Sequence, residues 1–141
     1  QYWNSVKFLE YYFQCCSIEL KSPSMASAAA TLANGGVNPI SGKKIFSASS
    51  AKNCLSLMNS CGMYDFSGEF AFKIGLPAKS GVSGLIYAVI PGVCGIATYS
   101  PRLDKVGNSY RGVKFFKELG KRVNIFCFEG SNPSLSASYF N

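Results

Sequence analysis

The 141-residue sequence predicts an α+β fold, with helices packed on an antiparallel sheet that is incomplete within this chain. Three observations carry that expectation. Four segments read as helices, and two apolar runs, 84–90 and 93–99, are split by Pro91-Gly92. The apolar content of 48% is enough for a real hydrophobic core. Two or three strands make a sheet too small to stand comfortably alone, so the missing strands are expected before Gln1.

The first helix is expected from about Trp3 to Ser17, because Val6, Leu9, Phe13 and Cys16 recur on one face. Lys21-Ser22-Pro23 breaks it, and Ser24 is the expected cap of an alanine-rich helix from Met25 to Ala33. Asn34-Gly35-Gly36 ends that helix with residues that tolerate a left-handed backbone. After a loop over 37–46, Ser47 or Ser49 caps a third helix whose Cys54, Leu55 and Met58 share a face and which stops at Gly62. The stretch from Tyr64 to Gly81 reads as irregular, with one short helix near Glu69 to Lys73.

Leu85 to Ile90 is apolar on both faces, as a central strand covered on both sides requires. Val93 to Tyr99 returns as its hairpin partner. Asn108 or Ser109 caps a last helix, about Tyr110 to Lys121. The domain is expected to occupy 1–122, with a serine-rich, poorly ordered tail over 123–141.

Composition narrows the function. No apolar run reaches the ~20 residues of a membrane-spanning helix, so no membrane partner is expected. The net charge of +7 invites a nucleic-acid reading, but the basic residues are scattered. Arg111, Lys114, Lys117, Lys121 and Arg122 fall opposite Val113, Phe116 and Leu119, which is the pattern of a solvated helix face. The six cysteines lack metal-binding spacing and read as reduced, buried thiols of an intracellular, reducing compartment. Histidine is absent, which removes Ser-His-Asp and Cys-His chemistry and the commonest metal ligand.

Lys79-Ser80-Gly81 stands just before the central strand. Alone it reads as a plain turn, although such a triplet also lines one wall of the penicillin-recognising serine hydrolases. Its surroundings carry more. Ser60-Cys61-Gly62-Met63-Tyr64-Asp65-Phe66-Ser67-Gly68 is followed by Gly75-Leu76-Pro77-Ala78-Lys79-Ser80-Gly81-Val82-Ser83-Gly84. Tyr12-Phe13-Gln14, the run from Ala29 to Gly36, and Leu103-Asp104-Lys105 with Gly107-Asn108-Ser109 complete the set. In order and spacing these blocks resemble the serine-dependent glutaminase family, from about Tyr11 to Gly112.

The resemblance implies a β-lactamase/penicillin-binding-like fold and hydrolysis of L-glutamine to L-glutamate and ammonia through a serine acyl-enzyme. The family's nucleophile lies in a Ser-x-x-Lys motif, where lysine stands in for histidine. Ser41 to Lys44 and Ser49 to Lys52 match that string but fall where the family carries no catalytic residue, so the motif is expected upstream of Gln1. Three family positions map here. Tyr12 corresponds to a catalytic-site tyrosine bordering the glutamine pocket, expected to hydrogen-bond the substrate or the nucleophile, although the residues alone make it a core tyrosine beside Phe8 and Phe13. Tyr64 corresponds to the proton carrier that faces the nucleophile; the plainer alternative is a loop tyrosine that only packs. A free phenol titrates near ~10, so such a carrier needs a neighbouring cation. Val82 would lend a main-chain N–H to an oxyanion hole. Lys79 and Ser80 are supporting candidates, and no metal or organic cofactor is implied.

Two positions depart from the family pattern: Leu85 replaces a glycine, with a risk of crowding beside Val82, and Arg102 replaces a proline. The rival readings are a basic interaction module and a β-lactamase-like relative acting on cyclic amides. An isolated half-domain would expose apolar surface and is expected to form a homo-oligomer. Animal members of the family are often mitochondrial, which the resemblance carries over as an expectation.

Overall fold

A computed structural model describes residues 5–122. The elements run α1 (Ser5–Cys16), α2 (Ser22–Ala33), α3 (Ala48–Cys61), a 3-10 turn (Tyr64–Phe66), α4 (Ser67–Ile74), β1 (Ala78–Ser80), β2 (Leu85–Ile90), β3 (Cys94–Tyr99) and α5 (Tyr110–Arg122). The sheet is antiparallel with order β1-β2-β3. Its register places Ser80 opposite Ile86, and Ile86 opposite Thr98. The α+β expectation holds, with β2 in the centre. The tail expected over 123–141 and Cys127 lie outside the described residues.

Local chemistry sets most boundaries. α2 begins one turn earlier than expected, with Lys21 rather than Ser24 as its cap. Pro23 falls in the first turn, where its missing N–H would have had no helical partner anyway. Ser47 caps α3, its side chain accepting from the Ser50 N–H at 3.0 Å. Ser109 caps α5: its Oγ accepts from the Gly112 N–H at 3.2 Å and donates to the Ser100 carbonyl at 2.8 Å. The segment expected to be irregular is more ordered than its sequence indicates. α4 spans Ser67–Ile74 and closes on Gly75 at φ 71°, and β1 follows. Lys79-Ser80 is therefore strand rather than the turn that precedes it.

The sheet carries one apolar layer on each face. Ala78, Ile86 and Ala88 pack with Met63, Phe70, Ile74, Leu76, Val113 and Phe116 from α4, α5 and the connecting segments. Val89 packs on the other side with Ala29, Leu32 and Ala33 of α2 and Ala51, Leu55 and Met58 of α3. Alternate residues of β2 thus feed opposite layers, as period-two geometry requires. Each fully buried large side chain in these layers contributes about 1.5–3 kcal/mol. On α5 the expected division holds, with Val113 and Phe116 buried and Arg111, Lys114, Lys121 and Arg122 exposed.

α1 departs from expectation. Its apolar stripe exists, yet none of its residues is buried. Val6, Leu9 and Phe13 stand exposed. The thiols need the same correction. Cys15, Cys16, Cys54, Cys61 and Cys94 are free but none is buried; Cys15, Cys16 and Cys61 are exposed. The faces of α1 and α3 that carry those three are uncovered among the described residues. No described helix is long and apolar enough to cross a membrane.

Candidate active site

The outer edge of β1 is the centre of the candidate site. Along an extended strand the N–H and C=O of one residue point to the same side. At Ser80 that side is not β2 but the segment leaving α3. The Ser80 N–H donates to the Gly62 carbonyl at 2.9 Å. Its carbonyl accepts from the Tyr64 hydroxyl at 3.3 Å and also from the Lys79 ammonium. The 62–64 segment therefore runs along the strand edge, and Gly62 is the residue that permits it. A methyl built there would lie 1.7 Å from the Ala78 carbonyl oxygen.

Tyr64 is the one non-glycine residue with a positive φ among those described, at 54°. Such a backbone costs about 1–3 kcal/mol and persists only where its surroundings enforce it. Its side chain is 40% exposed. The Lys79 ammonium lies 4.9 Å from the ring centroid, close enough for a cation–π contact. Burial is the main influence on that lysine and holds it below the usual lysine range, against a smaller upward pull from Cys61. On another side the ring meets Gly107, where an added Cβ would sit 3.8 Å from two ring carbons.

Val82 lies in the turn between β1 and β2 with its side chain 72% exposed. The turn is closed by its neighbours: the Gly81 N–H donates to the Leu85 carbonyl at 2.9 Å, and the Gly84 N–H to the Gly81 carbonyl at 3.0 Å. The Val82 N–H has no acceptor among the described residues, so it remains available as a donor. A Cβ at Gly81 would stand 3.9 Å from the Leu85 Cβ, an ordinary contact.

Tyr12 is 55% exposed on α1, which removes the plain core reading beside Phe8 and Phe13. Its phenol is raised above the usual tyrosine range, mainly by hydrogen bonding with Cys16 one turn on. A smaller upward contribution comes from Tyr64. Tyr64, Lys79 and the Ser80 backbone are brought together by their own contacts, with Val82 two residues beyond the strand. The Ser80 side chain points elsewhere: it is buried, and its Oγ has no partner among the described residues.

The two Ser-x-x-Lys strings are engaged in local structure. Ser41 bonds to the Asn38 side chain at 3.2 Å, and Ser49 to the capping Ser47 hydroxyl at 2.9 Å. No described group of three or more His, Cys, Asp or Glu side chains is placed to hold a metal ion. Two residues that sequence reading missed stand behind Tyr64. Ser67 Oγ accepts from the Met63 N–H at 2.9 Å and donates to the Tyr64 carbonyl at 2.6 Å. Asn108, read only as a helix cap, donates from its side chain to the Met63 carbonyl at 3.1 Å. The signal available for them was their place in the Tyr64 and Leu103 to Ser109 blocks.

Comparison with known proteins gives this geometry its context. The family model for glutaminase matches residues 3–128. Putative glutaminase 3 of Caenorhabditis elegans is 59% identical over 121 residues, covering 86% of this chain and 21% of the relative. The mitochondrial liver glutaminase isoform of Rattus norvegicus is 56% identical, covering 85% of this chain and 19% of that protein. A Bacillus subtilis glutaminase, solved as a covalent complex with 5-oxo-L-norleucine, superimposes with a TM-score of 0.82 at 37% identity. That match covers 85% of this chain and 43% of the other. The chain thus spans about a fifth of the length of these animal relatives, and its helices and three-stranded sheet are part of a β-lactamase-like fold. It belongs to the glutaminase family.

Proposed function

We propose that this chain supplies the tyrosine and oxyanion-hole half of a site that hydrolyses L-glutamine to L-glutamate and ammonia. The observation that carries the reading is Tyr64: a tyrosine held at positive φ, with its hydroxyl on the β1 edge two residues before the unengaged Val82 N–H. The nucleophile, a serine with its lysine, comes from upstream sequence. Its oxygen attacks the side-chain amide carbon of glutamine as its proton passes to the uncharged amine of that lysine. The Tyr64 hydroxyl carries it onward, giving its own proton to the amide nitrogen as it takes one from the lysine. The oxyanion that forms is held by the Val82 N–H and the serine's own N–H. Collapse breaks the C–N bond, the amide nitrogen takes up the proton and leaves as ammonia, and water then hydrolyses the ester.

Each supporting residue has a physical role in that scheme. In the resting site the Tyr64 hydroxyl donates to the Ser80 carbonyl, which leaves its lone pairs directed away from the strand. Lys79 sets positive charge beside the ring. Tyr12, by its correspondence to the family's pocket tyrosine, borders the glutamine from α1. Gly81 and Gly84 let the substrate approach the backbone of the turn.

The exposed apolar face of α1 supports a homo-oligomer or cover by the rest of a longer protein. The free thiols favour an intracellular, reducing compartment. A mitochondrial relative and bacterial relatives both occur, so mitochondrial placement is a proposal by analogy. Nucleic acid is not a partner in this reading: on α5, Glu118 faces Lys121 and Arg122, while Lys114 and Lys117 lie over aromatic rings.

Ammonia release from glutamine tests the proposal, measured on the bare chain and on a version extended upstream to include a Ser-x-x-Lys segment. The expected result is activity only in the extended protein, and its collapse in Tyr64→Phe. Turnover by the bare chain would make Ser41 or Ser49 the nucleophile and overturn the placement.

A further inference from the structure

We propose that Asn108, with Ser67, is a positioning residue that holds Tyr64 in its left-handed backbone and so aims the phenol along β1. The functional meaning of this inference rests on the role proposed for Tyr64, while its structural content does not. The angle φ of Tyr64 is set by how the peptide before it lies relative to the peptide after it. Both are gripped. The carbonyl of the preceding peptide accepts from Asn108 Nδ2 at 3.1 Å and from the Phe66 N–H at 3.2 Å. The carbonyl of the following peptide accepts from Ser67 Oγ, which also takes the Met63 N–H.

Asn108 is itself immobilised. It is 0% exposed. Its N–H donates to Asp104 Oδ1 at 3.0 Å, and its carbonyl accepts from the Asp104 N–H at 2.7 Å. The same loop brings Gly107, at φ 90°, beside the Tyr64 ring, where an added Cβ would lie 3.8 Å from Cδ2 and Cε2. One short segment, 104–108, therefore fixes both the backbone and the ring of a tyrosine 44 residues before Asn108. Nothing in the residues next to Tyr64 favours positive φ, and a β-strand edge alone does not impose it. The grip from Asn108 supplies the constraint that the local sequence lacks.

Backbone NMR on the 141-residue chain reads the sign of φ at residue 64 through its HN–Hα coupling and cross-relaxation. Asn108→Ala is expected to lower the share of chains with positive φ there by roughly tenfold or more, the intrinsic bias against that region. Ser109→Ala is the control, since it also removes the hydrogen bonds of a buried side chain, to Ser100 and from Gly112, without touching Met63 or Tyr64. It should lose stability and leave φ unchanged. If Tyr64 keeps its positive φ in Asn108→Ala, the proposal is wrong. Should Asn108→Ala not fold, it is combined with Tyr64→Gly, which carries no left-handed penalty. Recovery of folding in the pair supports the grip, and continued failure overturns it. In the upstream-extended protein, Asn108→Ala should lower kcat with little change in KM. Absence of turnover in the parent would sink the glutaminase reading and leave the NMR result standing.

Discussion

Gly62→Ala is the substitution that most directly tests whether the candidate site depends on the fit of the α3 exit against β1. The new methyl would sit 1.7 Å from the Ala78 carbonyl oxygen and 2.4 Å from that of Met58. Both are backbone atoms, so neither can swing aside as a side chain would. Restoring an ordinary contact near 3.4 Å requires the strand edge to retreat by about 1.7 Å. That movement breaks the bond from the Ser80 N–H to the Gly62 carbonyl, a loss of about 1 kcal/mol. The overpacking itself costs about 1–3 kcal/mol. The sum, roughly 2–4 kcal/mol, corresponds to a fall in Tm on the order of 10 °C for a chain of this size. The same retreat separates Tyr64 from Ser80, and a displacement above ~1 Å in a reacting geometry costs about a hundredfold in rate. Thermal unfolding by circular dichroism, with ammonia release from the upstream-extended protein, reads both effects. Gly68→Ala on α4 is the matched control, because its Cβ would meet nothing within 4 Å. If Gly62→Ala unfolds within about 0.5 kcal/mol of that control, the argument for a tight edge is refuted.

Two further outcomes follow from the turn and from the lysine. Val82→Ala should leave kcat nearly unchanged, since the side chain is exposed. Val82→Pro removes the N–H and should lower kcat of the extended protein by about 10²–10³-fold; equal effects from the two would rule out a main-chain role. Burial holds Lys79 below its ordinary value of 10.5, so the unfolded chain binds that proton more readily than the folded one. The resulting penalty on the folded state is present below the native pKa and fades as pH rises toward the unfolded value. The stability difference between Lys79→Met and the parent should therefore narrow from neutral pH toward about 10 in urea titrations. A difference that stays constant with pH would contradict it.

The elements legible in the sequence were those whose burial is local in pattern. The hairpin Leu85 to Tyr99, the Ser47 cap and the amphipathic α5 each announce themselves within a dozen residues. β1 did not, because three residues after a proline are too few to show alternation. α1 displayed a helical stripe, and the stripe was real, yet periodicity records what a face is suited to cover rather than whether a partner is present. The thiols were misread for the same reason. Tyr64 and Val82 became candidates only through resemblance to the family, and the strain at Tyr64 had no signal at all, since nothing in Met63-Tyr64-Asp65 demands it. Asn108 was visible only as a cap. Its second role depends on a bond to a residue 45 positions away, which no local window contains.

That same bond constrains the order in which the chain can assemble. Closing a loop of this length before the intervening segments are in place is entropically unfavourable, and the cost is recovered only once α4 and the hairpin have docked. The Asn108 side chain can reach Met63 only when α5 is seated on the sheet, because Asn108 adjoins Ser109, the cap of that helix. Tyr64 would then acquire its strained geometry among the last events of folding. It would also lose it among the first of any partial opening that frees the 104–108 loop. A partly folded chain could hold most of its helices and all of its strands while presenting no usable phenol, so competence for chemistry would report on the completeness of the fold.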